Sequence, residues 1–530
     1  MSAVAPPTPS PSPAAGPAAR LAERARTTRR PSPALVTILG LAGLLGISAW
    51  LRTGSLDAAL WIDEAISIGV SSYGFFDVPE VLRIDGSPPL YYLLLNLWMQ
   101  AFGDGETATH TLSLVFSLLC VPVAWWAGHS LYGRKTAWIA AGLAALNPYL
   151  TYYAQETRMY SLQALLSIVV AASFIHLFVR RDRRHLPVFV LAFTAMLYTH
   201  NWALFLGMAL GVTAVWLWRT TDGEAERRAM LRDGLIVLVA VAVLYAPWVP
   251  TLLYQVEHTG APWAMRPTIP QLLGALGLVL GGTAVAIALL LVAGNGLMTL
   301  TRVRRDRRAI ALVALTFGAI AVAWLVSQVS PAFANRYFAT FVGPILLTAA
   351  VGLSHAGRLG LVCLVLVAAF WFDPRTGELE RKNNTRGVSA SIATLVTTGD
   401  LVVATHPESL PLIAYYMPKG VRYANSLGPV DDPRVFDWTD ATERLKRTRP
   451  TPTIDGLLRT LEPGQELVLV QPILRTARWK APWTSLVRRR VVQWERRLDA
   501  DPRVRREAVV PVFGYDRLPR GIRAIVYRVR

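Results

Sequence analysis

The sequence predicts a polytopic α-helical membrane protein of about eleven transmembrane helices, with interfacial helices in its first outer loop and a C-terminal α/β domain outside the membrane. Three observations predict it. Hydrophobic residues make up 53% of the chain and charged residues only 17%, too apolar for a soluble enzyme of this length. Apolar runs close to membrane-spanning length recur from Leu35 to Phe372 and then stop. Beyond Asp373 the composition changes to short β-rich runs alternating with helical stretches.

Residues 1–34 are rich in Pro, Ala and Ser and end in Arg20, Arg24, Arg26, Arg29 and Arg30. Such a segment cannot bury a core, and it reads as a disordered basic tail. The apolar run at 35–51 comes too late for a secretory signal and has no small-residue cleavage site after it, so it reads as a retained helix. Its basic flank places the N-terminus in the cytoplasm. Further spans are expected at 109–131, 136–152, 160–179, 186–200, 202–218, 234–252, 271–300, 309–327, 337–356 and 358–373.

The segment 88–102 is short for a span and suits a helix lying in the interface, with Tyr91, Tyr92 and Trp98 at headgroup depth. Charge decides between the two. With 88–102 lying flat, the arginine clusters at 180–184, 227–232 and 302–308 all face the cytoplasm. Outer loops then keep only Arg52, Arg83, Arg158, Arg266 and Arg336. If 88–102 spans, the basic loops move outside, against the positive-inside rule. The organisation is therefore a tail at 1–34, a membrane domain at 35–373 with a first outer loop at 53–108, and an extracytoplasmic α/β domain at 374–530.

In that last domain Asp400–Thr405 and Glu466–Gln471 read as strands, with helices near 387–397, 453–462 and 480–498. No glycine-rich loop opens any of its helices, so no nucleotide is expected. A net charge of +19 raises nucleic acid as a partner. The placement of the basic residues fits lipid headgroups and topology instead, so nucleic acid is excluded. Cys120 and Cys363 lie inside apolar runs and read as core residues.

The polar residues near the membrane gather on the outer side. Trp61-Ile62-Asp63-Glu64-Ala65 places two acids at a juxtamembrane helix start. By helical geometry their side chains diverge by about 100°. One carboxylate facing a cavity can accept the proton of an attacking hydroxyl; alone, the pair reads as acids at a helix N-terminus. Asn147-Pro148-Tyr149 through Gln155-Glu156-Thr157-Arg158-Met159-Tyr160 brings a lone outer arginine, able to grip a phosphate with two bonds. The alternative is a Glu156–Arg158 surface pair of little energetic weight.

Arg336, in Asn335-Arg336-Tyr337, opens the tenth span at headgroup depth, where an arginine also commonly snorkels. His200 interrupts a long apolar stretch as a metal ligand, a phosphate donor or a satisfied buried histidine, the last being commonest. Glu257, His258, Arg266 and Trp263 share a proline-bounded loop that could line an entrance. Together these residues suit transfer of a group from a lipid phosphate to a hydroxyl.

Trp-x-Asp-Glu after the first helix, then Pro-Pro-Leu-Tyr-Tyr, then Tyr-Ala-Gln-Glu-x-Arg-Met-Tyr, then Arg-Tyr opening a late helix, resembles the membrane-embedded GT-C glycosyltransferases. The nearest branch holds the protein O-mannosyltransferases and lipid A aminoarabinose transferases. The resemblance covers 35–372 and is strongest over 58–165. It implies an inverting glycosyltransferase that takes a sugar from a polyprenyl-phosphate donor to a hydroxyl of an envelope glycan, glycolipid or protein on the outer face.

The resemblance makes Asp63 the base. It gives Glu64 the task of orienting the acceptor or helping to hold a divalent cation, and leaves His200 as a second candidate metal ligand. No other cofactor is implied. Arg158, Arg336, Tyr337 and His200 fall on the donor phosphate, and Tyr153, Gln155, Glu156 and Tyr160 on the substrate. Many relatives carry His or Lys just before Pro-Pro-Leu; this chain has Ser87, with Asp85 two residues earlier. Two other readings compete: a lipid flippase or transporter, and a transferase of a non-sugar group to an envelope lipid. Transporters bury polar groups at mid-membrane depth, often in repeated halves, whereas here the polar set lies near the outer helix ends.

Overall fold

The computed structural model describes residues 32–374, 376–380, 382–473, 480–510 and 521–530. Of the tail predicted at 1–34, residues 1–31 lie outside the described residues. Residues up to Gly43 form a unit of their own, whose described part is the start of the helix Pro33–Arg52.

Among the described residues, seven helices are long and apolar enough to cross a membrane. They are Pro33–Arg52, Glu106–Tyr132, Tyr160–Val179, Glu224–His258, Thr283–Val303, Arg307–Val329 and Asn335–His355. Ala203–Arg219 and Gly357–Trp371 are apolar but shorter. Arg134–Leu146 and Leu186–Thr199 stand where the remaining two predicted spans fall, at 13 and 14 residues. Both are below the roughly 20 that a straight crossing needs.

Two predicted spans are broken. The run 136–152 stops at Asn147, whose Oδ1 accepts from Leu150 N (3.0 Å) and so starts a new helix, Pro148–Tyr153. The run 271–300 divides into Ile269–Leu273, Ala275–Val279 and, after Gly281 and Gly282, Thr283–Met298. Both glycines have positive φ, +72° and +133°, a conformation most side chains resist. The two breaks meet: Asn147 Nδ2 donates to Val279 O (2.9 Å).

Helices in the membrane domain pack through small residues. A Cβ on Gly352 would sit 2.4 Å from Ala293 O, so the helices Val342–His355 and Thr283–Met298 touch backbone to backbone. Arg52 is fully buried and donates to Ser117 O (2.7 Å) and Ala144 O (2.6 Å). It thereby caps orphan carbonyls at the end of Arg134–Leu146.

The first loop folds into three helices, Ile62–Ser71, Val78–Asp85 and Leu90–Phe102. The last is the short helix expected at 88–102, but the headgroup position given to Tyr91 and Tyr92 is corrected. Both are fully buried in protein, because each hydroxyl has an internal partner: Ser113 Oγ for Tyr91 and Arg158 for Tyr92.

The chain then forms a six-stranded sheet of order β3-β2-β1-β4-β6-β5. The strands are β1 (Leu401–Ala404), β2 (Arg422–Asn425), β3 (Gly428–Val430), β4 (Glu466–Pro472), β5 (Val504–Val510) and β6 (Ile522–Val529). β1 runs parallel to both β2 and β4; the outer pairings are antiparallel. Leu401 and Val403 face one apolar layer with Trp494 and Leu498; Val402 and Ala404 face another with Ile392 and Ile413. Helices therefore cover both faces, as an α/β domain requires.

This domain is docked on the first loop. Asn383 Nδ2 donates to Leu60 O (2.7 Å), the Tyr416 hydroxyl accepts from Leu60 N (2.9 Å), and Trp438 N donates to Ile84 O (2.9 Å).

Candidate active site

Asp63 and Glu64 occupy the first turn of Ile62–Ser71, where the Glu64 carboxylate returns to the Trp61 amide (2.9 Å) in a capping-box arrangement. Their carboxylates go to different places. Glu64 is fully buried. Its Oε1 accepts from His110 Nε2 (2.7 Å) and Thr157 N (2.9 Å), and its Oε2 from Trp61 N and from Lys382 Nζ (2.6 Å). Four donors fill the capacity of a carboxylate. The other ring nitrogen of His110 faces Leu56 O (2.7 Å), so both nitrogens meet oxygen atoms. Burial by itself would raise the Glu64 carboxyl, but Lys382 and His110 outweigh it and hold the group well below the usual carboxylate range. The acceptor-orienting and metal-ligand roles expected of Glu64 are therefore corrected. No lone pair is left to offer, and the carboxylate locks the loop to a membrane helix and to the strand-containing domain.

Asp63 faces the opposite way, into a cavity of about 290 Å³ that Arg158, Arg336 and Tyr337 also line. Arg336 Nε lies 3.5 Å from Asp63 Oδ2, an ion pair beyond good hydrogen-bond geometry. The Arg336 guanidinium is caged by Trp263, Tyr337 and Trp61, at 4.7, 5.1 and 5.6 Å from the ring centroids. Arg158 Nη1 donates to Asp63 O (3.1 Å), Ser67 Oγ (2.9 Å) and Tyr92 Oη (3.2 Å), fixing the acid's helix. The Nε atoms of both arginines are buried and lack a hydrogen-bond partner among the described residues. Two guanidiniums beside one carboxylate thus keep donor capacity in hand for an anion.

Asp85 and Ser87 line the same cavity. Burial pushes the Asp85 carboxyl up and the Asp63 charge adds to that, while Arg158 and Ser87 oppose it.

A second cavity, about 460 Å³, lies on the other side of Trp61 and Arg336 and is lined by Tyr149, Tyr152, Tyr153 and Glu156. The Tyr149 hydroxyl donates to Arg336 O (2.6 Å), tying the two cavities together. Tyr153 and Glu156, expected on the substrate, both line this chamber. Gln155 does not line either cavity. It is a buried strut that accepts from Ser55 N (2.8 Å) and donates to Thr151 O (3.1 Å). Tyr160 and His200 also lie outside both linings and pack behind Tyr337, at ring distances of 6.4 and 4.5 Å. His200 Nδ1 accepts from Trp202 N (3.1 Å), so its predicted phosphate contact becomes a supporting one. Neither it nor Glu64 joins the one group of three metal-ligand types found among the described residues, His176, Asp182 and His185.

Sequence reasoning missed His110, Lys382, His406, Glu408 and Trp438. An ionisable group near the start of an apolar helix, as His110 is, calls for a buried partner, and that signal was there to be used. The others come from beyond residue 380 and carry no local motif.

Residues 86–250 match the family described as dolichyl-phosphate-mannose-protein mannosyltransferase. The structure superimposes on ArnT from Cupriavidus metallidurans at a TM-score of 0.62 and 14% identity, over 92% of this chain and 97% of that one. The chain has the GT-C fold. The same ArnT bound to undecaprenyl phosphate matches at 0.57 and 14% identity, over 82% of this chain and 93% of that one. The arabinofuranosyltransferase AftD from Mycobacteria matches at 0.54 and 14% identity, over 93% of this chain and 39% of the longer AftD chain. No curated protein matches by sequence. Within the GT-C fold this chain resembles the mannosyltransferase and ArnT branch, as its ordered motifs imply.

Proposed function

We propose that the protein is an inverting glycosyltransferase that moves a sugar from a polyprenyl-phosphate donor to a hydroxyl acceptor on the outer face of the membrane. One observation carries the reading: Asp63 faces a cavity in which Arg158 and Arg336 stand beside it, the second at 3.5 Å from its carboxylate. The acceptor oxygen attacks the anomeric carbon and gives its proton to Asp63. The bond from that carbon to the phosphate oxygen breaks, and the electron pair stays on the phosphate. Arg158 and Arg336 meet this charge where it develops, which is how preorganised cations accelerate such a step.

A lipid-linked donor is supported by the ArnT structure that holds undecaprenyl phosphate. The outer face is supported by the arginine-rich loops, which belong inside, and on this reading the strand-containing domain is extracytoplasmic. Glu64 and His200 lack the geometry of a metal site, so the chemistry assigned here rests on Asp63 and the two arginines.

Incubation of purified protein with polyprenyl-phosphate mannose or arabinofuranose and an alkyl glycoside tests the reading. Mass spectrometry should find polyprenyl phosphate and an extended glycoside in equal amounts. Lipid translocation across vesicles without a covalent product would establish the flippase instead.

A further inference from the structure

The strand-containing domain does more than sit on the membrane domain. β1 is flanked by β2 on one side and by β4 on the other, so the strand order reverses between β1 and β4. In open α/β sheets, ligands bind beyond the carboxyl ends of the strands at such a switch point. Here that end points at the acid loop. Thr405 extends β1 and donates to Val470 O on β4 (3.0 Å). His406, just beyond it, and Ile473, just beyond β4, share a small cavity of about 80 Å³ with Trp61 and Ile62.

His406 and Glu408 also reach the larger cavity that holds Asp63. Their side chains are about nine-tenths buried, at 10% and 13% exposure, and His406 Nε2 pairs with Glu408 Oε1 at 2.8 Å. Glu408 Oε2 is buried and has no hydrogen-bond partner among the described residues. A buried carboxylate oxygen without a donor is costly unless a ligand supplies one. Trp438 from the same domain and Trp263 from the membrane domain wall this cavity, and both pack against the cluster around Phe436 and Trp483. Aromatic faces beside a carboxylate and an imidazole suit a sugar, whose C–H face stacks while adjacent hydroxyls donate.

We propose that the strand-containing domain supplies the acceptor half of the active site, with His406 and Glu408 binding hydroxyls of a glycan acceptor beside Asp63. This rests on the glycosyl-transfer reading. The acceptor proton still goes to Asp63; Glu408 accepts from a neighbouring hydroxyl, and Trp263 and Trp438 seat the ring.

The test uses the full-length protein, a polyprenyl-phosphate sugar and two kinds of acceptor: octyl glycosides of mannose and arabinofuranose, and a Ser/Thr-containing peptide. Glu408→Gln and His406→Gln should each raise the KM for the octyl glycoside about tenfold, the effect of one lost charge-assisted bond. The donor KM and kcat at saturating glycoside should stay near parent values, which a merely structural pair would not allow. Unchanged glycoside KM in both variants of an active enzyme overturns the proposal. So does transfer by the parent to the peptide but not to the glycosides. Absence of transfer by the parent to any acceptor overturns the glycosyl-transfer reading itself, and this inference with it.

Discussion

Asp63 and Glu64 are neighbours in the chain with opposite fates, and the partners of each decide its chemistry. Glu64 meets Lys382, His110 and two backbone amides, so its charge is neutralised and its lone pairs are used. Asp63 shares its cavity with two arginines, so it can take part in a reaction that brings in an anion. Removing one partner of a buried pair leaves the other charge stranded, at a cost of about 3–5 kcal/mol. Glu64→Gln and Lys382→Met should each lower the melting temperature of the purified protein. The double variant should lose less than the sum, because neither charge is then left alone. The sign with pH follows from the depressed Glu64 carboxyl. Its stabilisation is fully present above the ordinary carboxylate range, about pH 4.3, and is lost as pH falls further. A melting temperature that does not fall with acid in the parent, or that falls equally in Glu64→Gln, contradicts this assignment.

At the scale of elements, the breaks in two apolar runs make the second chamber. Tyr149, Tyr152 and Tyr153, spaced i, i+3 and i+4, share one face of any helix that carries them. The stop at Asn147 re-aims that face, so that Pro148–Tyr153 presents all three to the chamber beside Arg336. Gly281 completes the chamber wall: a Cβ there would lie 2.5 Å from Pro148 Cγ and 2.9 Å from Trp371 Nε1, at φ +72°. Gly281→Ala should therefore destabilise by about 1–3 kcal/mol through backbone strain alone and should lower transfer by narrowing the chamber. Gly211→Ala, in a helix where nothing lies within 4 Å of the new carbon, is the matched control. It should leave melting temperature and activity at or above parent values.

Across the whole molecule, the sequence reveals what is local and hides what is assembled. Among the described residues, seven of the apolar runs yield helices long enough to cross a membrane, two yield shorter apolar helices, and the runs at 136–152 and 271–300 are broken. Asp63, Arg158 and Arg336 are legible because each sits in a short motif at the end of an apolar run, and all three meet in one cavity. Glu64, Gln155 and His200 carry the same motif signals yet are buried supports, since periodicity cannot tell which face of a helix another segment will cover. Lys382 reaches Glu64 across 318 residues, and His406 and Glu408 reach the Asp63 cavity from a separate sheet. Only the docking of that sheet on the Leu60–Trp61 loop brings them in. The account then stands on Asp63 as the base in a cavity built from both parts of the chain. The most direct measurement is single-turnover sugar transfer from a polyprenyl-phosphate sugar by Asp63→Asn, with donor binding followed in parallel. Transfer should fall by about 10²–10⁴, the worth of a positioned base, with donor affinity close to that of the parent because Arg158 and Arg336 remain; transfer within a few-fold of the parent would contradict the account.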